Sequence, residues 1–181
     1  MTASILFRDG LERDIPACLA LDHTYETDTV WQMDLREQDA GWLIHFRAQR
    51  LPRTLETLYP ANEDRLRLAA TTEQGFIVAA ERDSGEVLGY LALGQDRFHK
   101  TAWVHDVVIS RGLRRNGMGS GLLRAARAWA REHDLSRLTL VTRPQNYPSI
   151  LFAQAQGLVF CGFSDHHFQD KDIAIFFTRT I

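Results

Sequence analysis

A single domain of the α/β (α+β) class, with a mixed, mostly antiparallel central sheet flanked by helices, is what this sequence predicts. Three observations lead there. Apolar runs at 75–82 and 87–93 are joined by Asp83-Ser84-Gly85-Glu86, a hairpin turn signal. Residues 104–129 read as a strand, a basic glycine-rich loop and an amphipathic helix, and a further strand follows at 137–142. A length of 181 residues, 45% hydrophobic and 24% charged, suits one ordinary globular core spanning 1–181.

The elements follow in order. Residues 5–8 open as a strand. Ile15, Cys18, Leu19 and Leu21 recur after a cap-like Asp14, so a helix is expected over 14–23. Residues 31–35 and 42–50 read as extended segments, the second broken at Leu51-Pro52-Arg53. Pro60-Ala61-Asn62 is another break, before a short helix at 63–71. The 75–93 hairpin, a strand at 101–110, a helix at 118–134 and an alternating strand at 137–142 come next. Asn146 caps the following helix, Pro148 sits in its first turn, and Gly157 ends it. Strands at 158–163 and 172–180 complete a meander, a β-α-β unit and a returning strand.

The formal net charge of −2 gives no sign of nucleic acid or membrane as a partner. Arg47, Arg50 and Arg53 form a local basic stretch, read as a surface strand with salt bridges. Two cysteines, Cys18 and Cys161, are too few for a disulfide framework; both have apolar neighbours and read as buried thiols of a cytoplasmic protein. Arg8, Asp9, Glu12, Arg13 and Asp14 stand where a signal peptide would be apolar, and no window approaches ~18 apolar residues.

The stretch that carries chemistry begins at Val104, Val107, Val108 and Ile109, a β-branched run. Arg111, Arg114 and Arg115 follow, then Asn116-Gly117-Met118-Gly119 and the helix. A helix's first turn leaves backbone N–H groups unpaired at the positive end of its dipole. Glycines at 117 and 119 let a phosphate approach that backbone, and the arginines add charge. No Gly-Lys-Ser/Thr follows, so this is not a P-loop. The glycines come a whole arginine loop after the strand and past mid-chain, unlike a dinucleotide-binding turn.

Arg114-Arg115-Asn116-Gly117-Met118-Gly119 resembles the acetyl-CoA loop Q/R-x-x-G-x-G/A of the GNAT superfamily of N-acetyltransferases, and fits at every fixed position. The order of elements resembles a GNAT domain over essentially the whole chain. The resemblance implies that residues 109–120 wrap the CoA pyrophosphate through backbone amides, with Val107, Val108, Ile109, Arg114, Arg115, Asn116, Gly117, Met118, Gly119 and Ser120 as cofactor-binding candidates. A later family pattern, N-x-x-A-x-x-L-Y-x-x-x-G-F, falls on Asn146, Ser149, Phe152, Ala153, Gly157 and Leu158. Asn146 and Gly157 match; Ser149, Phe152 and Leu158 are near matches, and the resemblance adds Asn146, Ser149 and Phe152 to the cofactor side. Ala153 stands where many members carry the tyrosine thought to protonate the departing thiolate, so no acid role passes to it. Within the superfamily the pattern looks closest to the streptothricin-acetyltransferase-like group: residues 104–109 parallel its I-E-D-I-A-V strand and residues 157–177 its closing segment. His105 replaces the glutamate of that strand, at a candidate base position.

The resemblance implies acetyl transfer from acetyl-CoA to a primary amine, on a small molecule or a protein, by direct attack on the thioester. The alternative is a non-catalytic acyl-CoA-binding module. A homodimer is left open. His105 is the first candidate base, because an imidazole of pKa ~6.5 suits proton transfer near neutrality; a packed strand histidine is the competing expectation. Strand alternation puts Asp106 on the opposite face, as a second catalytic candidate or a structural hydrogen-bonding group. In the polar loop Ser164-Asp165-His166-His167-Phe168, His167 is a third catalytic candidate and Asp165 a substrate-binding one; a solvated turn is the alternative. No spaced ligand set suggests a metal. Tyr25, Glu26, Asp28 and Trp31 fall where the family places its first helix-loop, and Tyr25, Asp28 and Trp31 are the candidates for lining an acceptor pocket. The same residues fit a helix end with a half-buried tryptophan.

Overall fold

The structure, a computed structural model, describes residues 4–72 and 74–181. Residues 1–3 and Glu73 of the expected 1–181 domain lie outside the described residues. Seven strands form one sheet in the order β1-β4-β5-β6-β7-β9-β8. These are β1 (Ile5–Asp9), β4 (Gly75–Glu81), β5 (Val87–Asp96), β6 (Thr101–Ile109), β7 (Arg137–Thr142), β8 (Val159–Ser164) and β9 (Ala174–Thr180). Every pairing is antiparallel except β6 with β7. That parallel seam is the crossover made by α3 (Met118–Glu132), as a β-α-β unit requires. One core joins α3 and α4 (Tyr147–Ala155) to the sheet through Leu122, Leu123, Ala126, Leu138 and Ile150. A second, on the opposite face, holds α1 (Ile15–Leu19) and α2 (Glu63–Thr71) through Cys18, Leu66, Val78 and Tyr90. The expected fold class is therefore the one observed.

Several local expectations change. The helix expected over 14–23 is a 3-10 turn at Glu12–Asp14 followed by the five-residue α1. The Asp14 carboxylate accepts from the Leu11 N–H (2.8 Å) and both terminal nitrogens of Arg8 (2.7 and 2.9 Å), a partner six residues away on β1. The segments expected at 31–35 and 42–50 belong to one long hairpin, β2 (Thr24–Gln38) and β3 (Gly41–Leu58), which is a separate two-stranded sheet. Tyr25, Glu26, Asp28 and Trp31 thus stand on a strand rather than a helix-loop. Pro52 does not break β3. The register jumps from Thr27↔Leu55 to Thr29↔Arg50, so Pro52 lies in a bulge that asks for no ladder N–H. As expected for the basic stretch, Arg47 and Arg50 face Asp34 and Asp28 across the hairpin, each at 3.7 Å.

One hairpin face is apolar, and its inner half is fixed to the body by rings. Trp31 packs on Phe177 (5.6 Å), Phe160 (5.8 Å) and Phe46 (6.0 Å). Further out Leu35, Ile44 and Trp42 are exposed, Trp42 at 64%. Cys18 is buried, but Cys161 is exposed, because β8 is an edge strand. No helix of the described residues is long and apolar enough to cross a membrane.

Candidate active site

The site forms where β6 and β7 part. They pair only from Thr101↔Arg137 to Val104↔Leu140. Beyond that β6 runs on to Ile109 beside β5, while β7 turns to β9. Ser110 N–H donates to the Leu88 carbonyl at 2.8 Å. Alternation along this antiparallel ladder directs the backbone of Val108 and Asp106 to β5, and that of Val107 and Ile109 into the gap left by β7. A row of backbone groups beside a gap is a ready partner for an extended ligand.

At the end of β6 the chain makes a 3-10 turn, Arg111–Leu113, and reaches α3 through Arg115 (φ 65) and Gly117 (φ 83). The left-handed conformation at Gly117, natural to glycine, swings the chain so that the N-terminus of α3 opens beside the gap. Gly121 N–H already bonds to the Gly117 carbonyl (3.0 Å); the preceding amides, those of Met118, Gly119 and Ser120, are the donors that a first helical turn leaves for a ligand. Phe152 of α4 packs onto Gly119, where an added Cβ would come within 3.1 Å of its ring. Gln156 donates to the Ser120 hydroxyl (2.9 Å), so α4 flanks this opening. Asn146 caps α4 through the Ser149 N–H (3.1 Å), as its sequence position suggested.

The three loop arginines separate into different tasks. Arg114 donates to the carbonyls of Ile109 (2.9 Å), Thr24 (2.5 Å) and Asp22 (2.6 Å), and so shapes the loop. Arg111 pairs with Glu26 and lies 3.5 Å from Asp22 and 3.4 Å from Glu56. Arg115 is exposed beside Asn116 at the mouth of the helix. These contacts tie the start of β2 to the end of β6. Trp31 N–H donates to the Pro144 carbonyl (2.9 Å), just past β7. Residues 24–31 therefore bridge the gap from one strand end to the other. Tyr25 is half-buried within that bridge, and its burial pushes the phenol pKa up. Trp31 belongs to the ring cluster, while Asp28 is exposed beside Arg50.

On the sheet face that carries α2 there is a cleft of about 370 Å³. Leu68 and Ala69 of α2 form one wall; Gly94, Trp103 and His105 line the sheet side. His105 owes its place to a β-bulge. The register passes from Leu93↔Val104 to Ala92↔Asp106, leaving His105 as the extra residue on β6. The bulge corrects the expectation that His105 and Asp106 face opposite ways: both lie on the α2 side, with Arg65 in contact with Asp106 and lining the same cleft as His105. His105 keeps an exposed edge, but its surroundings still draw its pKa below the ordinary value. Burial is the largest cause; Asp106 opposes it, and the Arg65 and His167 charges reinforce it. A neutral imidazole near pH 7 results.

Asp106 is 1% exposed and serves as an anchor. Arg65 holds it with two bonds, Nε to Oδ2 at 2.6 Å and Nη2 to Oδ1 at 2.5 Å. The Tyr59 hydroxyl donates to Asp106 Oδ1 (2.5 Å) and shares its hydrogen with the His105 carbonyl, 3.0 Å away. Burial, reinforced by Asp106, raises the Tyr59 pKa well above the usual phenol value, so the hydroxyl stays a donor. Tyr59 and Arg65 were not singled out in the sequence. The only local signal was a carboxylate in the middle of an apolar strand, which demands buried partners but does not name them.

His167 approaches the site from the 165–172 loop. Its N–H donates to the Asp172 carbonyl (3.1 Å) and its ring meets Phe176 edge-on at 5.6 Å. Arg143, at the end of β7, fixes that loop through Asp172 (2.6 Å), Asp170 (2.9 Å) and the Phe168 ring (4.1 Å). Asp165 bonds back to the His166 N–H (2.9 Å) and is exposed. Ala153 is fully buried in the α3/α4 core. Among the described residues no group of three or more His, Cys, Asp or Glu is placed to hold a metal ion.

Comparison with known proteins gives likenesses of family and fold. The family model described as Acetyltransferase (GNAT) family matches residues 24–158. Streptothricin acetyltransferase of Streptomyces lavendulae is 24% identical over 168 residues, covering 90% of this chain and 86% of that protein. The crystal structure of nourseothricin acetyltransferase superposes with a TM-score of 0.81 at 22% identity, over 97% of this chain and 98% of that one. A protein of Bacillus anthracis str. Ames assigned as a streptothricin acetyltransferase, solved in complex with acetyl coenzyme A, gives 0.77 at 17% identity over 100% and 99%. At these identities the two structures are likenesses of fold.

Proposed function

Because the chain belongs to the acetyltransferase (GNAT) family, and so is an acetyl-CoA-dependent N-acetyltransferase, we propose that a primary amine attacks the acetyl-CoA thioester directly in the gap between β6 and β7. The observation that carries this is the meeting of three features at one place: the parted strands, the glycine-led N-terminus of α3, and His105 on a bulge.

The chemistry divides among them. The amides of Met118, Gly119 and Ser120, with Arg115 and Asn116 beside them, hold the pyrophosphate. Arg114 keeps the loop in shape; Val107 and Ile109 offer the backbone along which the thioester arm lies, and Val108 between them is spent on β5 and the core. Phe152, with Ser149 and Asn146 on α4, closes the other wall. An amine of pKa ~10.4 must lose a proton to attack, at a cost of about 4 kcal/mol at pH ~7.4. A neutral His105 takes that proton directly or through one water, and His167, whose charge acts on His105 from the 165–172 loop, is the second candidate. The Val107 N–H faces the oxyanion as it forms. Tyr25, Asp28, Trp31 and Asp165 remain the candidates for the acceptor side. The first acceptors to test are amine-bearing antibiotics of the streptothricin type, suggested by the relatives' names alone.

Saturating acetyl-CoA, at ~100 times its Kd, is expected to stabilise the fold by about 2.7 kcal/mol. For a domain of this size the melting temperature rises by about 5–11 °C, with NADP and ATP as inactive controls. Release of CoA thiol on adding an amine then separates the enzyme from a silent acyl-CoA-binding module. A melting temperature indifferent to acetyl-CoA would remove the proposal.

A further inference from the structure

The bulge that presents His105 is held from outside β6. A bulge leaves one residue without a ladder partner and weakens the strand locally, so its geometry must be fixed by other contacts. Here the contacts are specific. The Tyr59 hydroxyl lies 3.0 Å from the His105 carbonyl and 2.5 Å from Asp106 Oδ1, and so spans both residues of the bulge. Arg65 grips the same carboxylate with two bonds from α2. Tyr59 follows directly on β3, and its own N–H donates to the His23 carbonyl at 3.1 Å. The hydroxyl is therefore fixed relative to the hairpin that bridges the gap, and Arg65 relative to the helix that walls the cleft.

We propose that Tyr59 and Arg65 are positioning residues for the transfer, locking the His105 bulge so that the imidazole faces the cleft while the backbone of Val107 faces the gap. The proposal rests on the acetyltransferase assignment of this site. Neither side chain needs to touch the substrate. The Tyr59 hydroxyl is committed to Asp106 and the His105 carbonyl, and two donor nitrogens of Arg65 are committed to Asp106. Their effect on chemistry passes through the backbone at 105–107. Small misplacements of reacting groups are known to cost up to about 100-fold in rate.

Tyr59→Phe removes the shared donor and leaves the ring in place. The expected result in the free protein, read by NMR titration, is a His105 pKa raised by about half a pH unit. A loosened bulge lets more water around the ring, and the Asp106 charge loses a donor that had tempered it. The other charged groups facing His105, Arg65 and His167, are unchanged in this variant. The Val107 and Ile109 amide resonances shift, while those of β1 stay. In turnover, kcat falls about 10- to 100-fold, and the acetyl-CoA affinity stays within twofold. Arg65→Lys keeps the charge without the two-pronged grip and is expected to show the same split in milder form.

A His105 titration and Val107 amide unchanged by Tyr59→Phe would overturn the inference. So would a variant that loses acetyl-CoA affinity in proportion to rate, since that marks general damage to the fold. The amides of residues 117–120 in the wild-type protein, titrated with acetyl-CoA, report separately on the acetyltransferase assignment. If they ignore the ligand that assignment fails, while the His105 titration still decides the positioning role.

Discussion

Replacing His105 with alanine is expected to lower kcat/KM for the amine by about 100- to 10,000-fold, the range that a positioned general base supplies. The acetyl-CoA affinity should stay within about twofold, because the α3 amides and the Phe152 wall are untouched. The pH profile carries a second signature. Burial draws the imidazole pKa below its ordinary 6.5, and the neutral form is the one that accepts a proton. Activity is therefore present above the folded-state pKa and lost as pH falls through it, giving an acidic limb below pH 6.5. In His105→Ala that limb should vanish along with the rate. Steady-state kinetics from pH 5 to 9 on both proteins would settle the matter; equal rates would assign the proton to another group.

The largest effect on stability is expected at Asp106. Asp106→Ala removes a carboxylate that is 1% exposed and accepts three short bonds from Arg65 and Tyr59. Breaking a buried pair on one side leaves the other charge uncompensated, at a cost of 3–5 kcal/mol in comparable cases. The Arg65 side chain is 35% exposed, so water replaces part of what it loses. A figure of about 3 kcal/mol follows, or a melting temperature lower by about 6–12 °C. Asp106→Asn keeps one acceptor oxygen, enough for the Tyr59 hydroxyl and Arg65 Nη2 but not for Arg65 Nε, and should lose somewhat less. Thermal melts of the two variants would show it; an unchanged midpoint for Asp106→Ala would mean that α2 is held by its apolar face alone.

Much of this architecture was legible where the governing forces are local. The Asp83–Glu86 turn, the start of α3 at Met118, the bounds of β7 and the Asn146 cap each depend on neighbours within a few residues. The misreadings share a different cause. Asp14 resembled a helix cap, but Arg8 on the adjacent strand claimed its carboxylate. Pro52 does withhold an N–H, yet a register jump set by the opposing strand makes that harmless. Arg114 reads as a phosphate candidate and Arg111 as added charge beside it, but the Thr24 carbonyl and the Glu26 carboxylate of β2 engage them. The His105 bulge is a relation between β5 and β6 and leaves no trace in β6 alone. Partners 41 and 47 residues distant from Asp106 were equally out of reach.

The contrast between the two cysteines makes the chain a reporter of its own opening. Cys18 has no exposed surface, and burial pushes its thiol up to about 12. At pH ~8 only about one such thiol in ten thousand is ionised, and that one is sealed between α1 and the sheet. Cys161 sits on the edge strand with its side chain accessible. Iodoacetamide should therefore alkylate one site per chain while the protein is folded. The second adduct should appear only as fast as the α1/α2 layer lifts from the sheet. Mass spectrometry of the timed reaction would turn a static difference in burial into an opening rate. Prompt double labelling would mean that this layer breathes freely.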